Sequence, residues 1–113
     1  MNSLKESDRI EINILMDNYT DLLLPSNDFV KRPEHYREGK VLPPLFAEHG
    51  FSLLVEVYRN GSVYKVLFDT GWSEIGLSYN MELLKIDLKE VETIILSHGH
   101  MDHFGSLIKL LET

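Results

Sequence analysis

The dipeptide Asn60-Gly61 constrains this chain more than any other pair of neighbours. Both residues tolerate the positive φ that a two-residue type I′ turn demands. They separate two runs rich in β-branched and aromatic residues, Phe51–Arg59 and Ser62–Phe68. A turn at that point fixes the register of a hairpin. Arg59 then faces Ser62, Val57 faces Tyr64, Val55 faces Val66 and Leu53 faces Phe68. One face becomes wholly apolar. On the other, Glu56 falls opposite Lys65, an opposite-charge cross-strand pair. A slip of one residue would destroy both matches.

Other elements follow from periodicity. Ile10, Ile12, Ile14 and Met16 alternate with Glu11, Asn13, Leu15 and Asp17, which predicts a strand with one apolar face. It ends at Asp17-Asn18. Residues 19–50 hold all four prolines (Pro25, Pro33, Pro43 and Pro44) and show no clean period. They are expected to form a long loop with one helical turn near Pro33–Arg37. Connections of this length are usually functional or mobile. Residues 73–85 can form a helix, with Ser73 as its cap and Gly76 as a weak point. Asp87-Leu88-Lys89-Glu90 has the spacing of a capping box and predicts one short turn. Val91–Leu96 is apolar and β-branched, the pattern of a buried strand. Apolar residues at 104, 107, 108 and 111 predict a helix over Phe104–Leu111.

Composition narrows the function classes. The 113 residues suit one domain, with 11 basic and 18 acidic side chains and a formal charge of −7. That acidity argues against nucleic-acid binding, which needs Lys and Arg to displace counterions. A small-molecule substrate remains compatible, because bound cations supply local positive charge. There is no cysteine, so any metal must be held by His and carboxylates. No apolar run approaches the roughly 18 residues of a membrane span. The polar start, Met1 to Arg9, has no apolar signal core behind it. A cytoplasmic protein without membrane contact is expected.

Three of the five histidines lie in His98-Gly99-His100-Met101-Asp102-His103. Zinc takes imidazole nitrogen and carboxylate oxygen. Alternate residues of extended chain share a face, so His98 and His100 can grip one ion. Asp102 and His103 follow where the chain turns into a helix, and they can reach a second. Gly99 and Gly105 would permit tight backbone paths beside the ions.

Ser97 to Leu107, with its His-x-His-x-Asp-His core, resembles the signature of metallo-β-lactamase-fold hydrolases. Phe68-Asp69-Thr70-Gly71 is similar to that family's strand-end Asp-Thr-Gly, about thirty residues upstream. The resemblance implies that His98 and His100 bind the first metal and that Asp102 and His103 bind the second. It implies that Asp102 also orients the nucleophilic water and that Asp69 braces the histidine loop by hydrogen bonds. The implied cofactor is zinc, two ions in the complete fold, with manganese or iron as alternatives. A redox di-iron relative usually has Glu where His100 stands, so His100 favours zinc.

Asp17-Asn18, the long loop and Ala47-Glu48-His49-Gly50-Phe51-Ser52-Leu53 also resemble a narrower branch, related to the dihydropterin–ribofuranosylaminobenzene phosphate synthases. There His49 would line the substrate pocket. His35, in the charged stretch Pro33-Glu34-His35-Tyr36-Arg37, reads instead as a surface residue.

The implied fold is α/β: the N-terminal half of a metallo-β-lactamase αββα sandwich, with a mixed sheet, the Asn-Gly hairpin and flanking helices. The full fold also needs a His, a bridging Asp and a last His on the C-terminal side of the motif. After His103 there is no histidine, and the only acid is Glu112. Residues 1–113 are therefore expected to form a single partial domain, with the long loop 19–50 and without the C-terminal half. At most two protein ligands serve each ion, where a catalytic zinc keeps three and a water.

The expected function is metal-dependent hydrolysis of a small phosphorylated or heterocyclic ester-type substrate, with little activity from this chain alone. A homo-oligomer or a second chain would complete the fold. The alternatives are one piece of a split enzyme, or a non-catalytic binding or assembly fragment.

Overall fold

A computed structural model describes residues 3–113. Its centre is a four-stranded sheet in the order β1-β4-β5-β6. Strand β1 spans Arg9–Met16, β4 Ser52–Arg59, β5 Ser62–Phe68 and β6 Thr93–Ile95. β4 runs antiparallel to β1 and β5, and β6 runs parallel to β5. The sheet is thus mixed, and helices flank it. α1 spans Gly76–Leu83, α2 Met101–Phe104 and α3 Leu107–Leu111. Among the described residues, no helix is long and apolar enough to cross a membrane.

The hairpin has the register set by its turn: Arg59 pairs Ser62, Glu56 pairs Lys65, Val55 pairs Val66 and Leu53 pairs Phe68. Asn60 and Gly61 have φ of 49° and 78°, as a type I′ turn requires. Lys65 Nζ lies 3.8 Å from Glu56 and also contacts Glu90.

The core lies on one face of this sheet. Leu54 and Leu67 meet Leu15, Leu77, Met81 and Leu110, all buried. These come from β4, β5, β1, α1 and α3. The opposite face carries Ile10, Ile12 and Ile14 of β1, Leu53, Val55 and Val57 of β4, Tyr64, Val66 and Phe68 of β5, and Ile95 of β6. No helix covers it. Ile12, Ile14 and Tyr64 are 60 %, 58 % and 59 % exposed.

Several local expectations need correction. The alternation of β1 breaks between Ile14 and Met16, where the register shifts. This bulge puts an extra residue against β4, and Leu15 and Met16 are both buried while Ile10, Ile12 and Ile14 are exposed. β6 is shorter than Val91–Leu96 and is not buried, because it is an edge strand with an uncovered face. The expected helical turn near Pro33–Arg37 is instead a small hairpin, β2 (Tyr36–Arg37) paired with β3 (Lys40–Val41). Glu38 and Gly39 at its tip have φ of 54° and 78°, so a second positive-φ turn prevails over the helix. The helix expected over Phe104–Leu111 is two short ones, broken at Gly105-Ser106.

Candidate metal and substrate site

The topology gathers the chemistry at one end of the sheet. β1 and β5 run together against β4, and β6 runs with β5. The residue after β1 (Asp17), those before β4 (His49 to Phe51), the residue after β5 (Asp69) and the loop after β6 (Ser97 to His100) therefore share an edge. An open cleft of about 210 Å³ there is lined by Asp17, Asn18, His49, Gly50, Phe51, Asp102 and His103.

Asp69 organises this edge. It is fully buried and adopts a left-handed φ of 58°, a region that Asp enters more readily than most residues. Its Oδ1 accepts the Ser97 N–H at 2.7 Å, and its Oδ2 accepts the Ser97 hydroxyl at 2.6 Å. His103 Nδ1 lies 2.6 Å from the same Oδ2. Burial pushes the Asp69 carboxyl up, but the hydrogen bonds from Ser97 and His103 outweigh it and hold it below the usual carboxylate range.

The proton positions follow from this. An ionised carboxylate only accepts, so His103 donates from Nδ1, and in the neutral ring Nε2 is then the acceptor nitrogen. Ser97 spends its one proton on Asp69. His98 Nδ1, 2.8 Å from Ser97 Oγ, then donates to that oxygen, and in the neutral ring its Nε2 is likewise the acceptor. One buried carboxylate thereby sets the tautomers of two histidines. This is the way an outer partner prepares an imidazole to ligate.

The candidate ligand atoms form two pairs, the members of each in contact with one another. His98 Nε2 stands 3.2 Å from His100 Nδ1. Asp102 Oδ2 stands 3.4 Å from His103 Nε2. Two donors bound at about 2.0–2.1 Å to one tetrahedral zinc stand roughly 3.3 Å apart, so both pairs fit. Among the described residues, no three His, Asp or Glu side chains come together as a metal group. The residues fit two half-sites and no complete one.

His49 touches the second pair through Asp102 alone, with Nε2 3.3 Å from Oδ2, and it lines the cleft. His35 is half-buried rather than on the surface, because it lines a separate cavity of the long loop with Leu22, Tyr36, Val41, Leu42 and Pro44.

Of the two glycines expected to take tight paths, Gly105 does and Gly99 does not, while Gly50 is also close to its neighbours. A Cβ on Gly105 would lie 1.9 Å from the Trp72 carbonyl oxygen, and one on Gly50 would lie 3.0 Å from the Trp72 nitrogen. Gly99 faces open space, because its loop projects from the sheet edge.

Two contributors escaped the sequence reading. Glu48 accepts the N–H groups of Trp72 and Ser73, both at 3.0 Å, and the Ser73 hydroxyl at 2.6 Å. Ser73 Oγ in turn accepts the Gly76 N–H at the first residue of α1, although the N-cap position itself falls on Ile75 and not on the expected Ser73, because the helix starts later than residue 73. Asn80, buried on α1, donates to the carbonyls of Leu15 and Phe46 and accepts the Phe46 N–H. It ties the approach to His49 onto the core. A mid-helix Asn is a mild signal, since that residue is a poor helix former. Glu48 carries none.

Comparison with known proteins matches the same part of the chain. Residues 45–113 match the family model described as the metallo-beta-lactamase superfamily. The chain is similar to a 7,8-dihydropterin-6-methyl-4-(beta-D-ribofuranosyl)-aminobenzene-5'-phosphate synthase of Methanocaldococcus jannaschii, 42 % identical over 69 residues. That alignment covers 61 % of this chain and 24 % of the relative. An uncharacterized protein of the same organism is 39 % identical over 67 residues, covering 59 % of this chain and 24 % of the relative. The chain thus spans about a quarter of the length of these curated relatives. The matched residues contain the hairpin, Asp69 and the whole histidine loop, and this chain belongs to the metallo-beta-lactamase superfamily.

Proposed function

We propose that this chain supplies one side of a two-metal hydrolase site acting on a small phosphorylated or heterocyclic ester-type substrate. The observation that carries the proposal is the hydrogen-bond set from Asp69 through Ser97 to His98, and directly to His103. In the neutral rings it fixes both tautomers so that Nε2 of His98 and of His103 is the acceptor nitrogen, the form in which imidazole ligates. His98 and His100 would hold one ion, and Asp102 and His103 the other. Zinc suits these donors, with manganese or iron as alternatives. Such ions, when bound, lower the pKa of a water toward neutrality and polarise the scissile group.

The chain's own residues do the rest. Asp102 accepts a hydrogen bond from the attacking water and aims it. Asp69 holds His103 and, through Ser97, His98. His49 meets the substrate from the open side of the cleft. The missing donors come from protein outside these 113 residues, either further sequence of a longer polypeptide or a second chain. A small substrate agrees with the acidic charge of −7, and the named product of the synthase relative contains both a phosphate and a heterocycle.

The test is complementation. The chain is mixed with the part of the M. jannaschii synthase outside the matched residues, with zinc or manganese, and assayed on phosphoesters. Turnover that needs both pieces and is lost in Asp102→Asn supports the proposal. Turnover that is unchanged in Asp102→Asn contradicts it. A second reading, a binding or assembly module, is favoured by the lack of a three-donor group among the described residues. It gains if both pieces associate with full metal loading and no ester is hydrolysed.

A further inference from the structure

We propose that Trp72 is a specificity-determining residue that stacks on a planar nitrogen heterocycle of the ligand. This inference rests on the small-substrate reading above and narrows it to a ring-bearing molecule. Trp72 is the sole tryptophan of the chain and is 47 % exposed. Its indole offers a large flat apolar surface with one polar N–H, the kind of group that meets ring-bearing ligands.

The segment is well packed. The Trp72 N–H donates to Glu48 Oε1. On either side, Gly105 N–H donates to the Gly71 carbonyl at 2.8 Å, and the Ser106 hydroxyl donates to the Ser73 carbonyl at 2.6 Å. Gly50 and Gly105 let the backbone of Trp72 press directly against the strand entry and the histidine loop. The indole therefore projects from a fixed base, so a ligand that meets it orders little else.

Trp72 stands just outside the cleft lining and reaches it through His49. The indole stands edge-on to the His49 ring, with centroids 5.7 Å apart. His49 in turn is 3.3 Å from Asp102. Trp72 and His49 thus form an aromatic margin one ring away from the carboxylate that aims the nucleophile. A planar ring held there would lie beside His49, the side chain in contact with Asp102. Ring-on-indole stacking tolerates different heterocycles, because every such ring offers a π face.

The experiment uses the 113-residue chain with pterin as the ring probe and ribose 5-phosphate as the ringless control. Trp72 emission is followed with correction for probe absorbance, and affinity is measured independently by calorimetry. Saturable quenching by pterin and none by ribose 5-phosphate is expected. Trp72→Ala is expected to weaken pterin binding about tenfold or more, and Trp72→Phe to restore most of it. Circular dichroism confirms that each variant is folded. Equal pterin affinity in folded Trp72→Ala, or no saturable response from the folded wild type, overturns the proposal. Binding is read without turnover or added metal, so an inactive protein that still stacks pterin through Trp72 would count against the hydrolase reading alone.

Discussion

The two faces of the central sheet are built from the same strands and the same kinds of residue, yet they have opposite fates. On one face Leu54 and Leu67 are 1 % and 0 % exposed beneath α1 and α3. On the other, alternate residues of the same strands form an equally apolar surface that nothing covers, with Ile12 at 60 % and Tyr64 at 59 % exposure. Contiguous apolar surface of this kind usually meets a partner. The contrast teaches that this part of the superfamily fold holds one complete core and one open half-interface. The candidate metal site repeats the pattern, with two potential donors in each pair. The open face ends at Ile14, Leu53, Phe68 and Ile95, beside Asp17, His49, Asp69 and the histidine loop. We propose that whatever covers that face also brings the missing donors.

The contrast can be sharpened by mutation. Leu67→Ala, beneath the helices, should cost about 2–5 kcal/mol in urea unfolding. Asn80→Ala leaves the Phe46 N–H and the Leu15 and Phe46 carbonyls without its side chain, and about 1–3 kcal/mol should be lost. Ile12→Glu, on the open face, should change stability by no more than about 0.5 kcal/mol while reducing self-association on a sizing column. A loss from Ile12→Glu as large as that from Leu67→Ala would mean that the open face is covered in solution.

Acid provides the smallest test. The Asp69 carboxyl is held below its ordinary range in the folded chain. Its stabilising contribution is therefore fully present above the unfolded carboxylate value of about 3.9 and is lost as pH falls through the lower folded value. Unfolding followed across that range should show an acid limb that flattens in Asp69→Asn. An unchanged limb would assign acid sensitivity to other carboxyl groups.

The hairpin was legible residue by residue because its determinants are local: a positive-φ turn and the Glu56–Lys65 pair set one register. The histidine loop was legible because its spacing is itself the chemistry. Other features depend on contacts far away in sequence. The bulge that buries both Leu15 and Met16 arises against β4. The break at Gly105-Ser106 follows from the close approach of Trp72. Alternation marked the two faces of the sheet, but it could not say which one the helices would choose. Helix α1 settles that through Leu77 and Met81, which join the core beneath Leu54 and Leu67.

The most direct measurement is zinc and manganese binding by the purified chain, by mass spectrometry and competition with a chelator, in wild type and in His98→Ala/His100→Ala. Sizing is done on the same samples. Two half-sites of two donors each should take up metal weakly in the wild type, and the double variant should lose the share held by the first pair. Equal metal uptake by the wild type and the double variant would contradict the assignment of His98 and His100 as ligands.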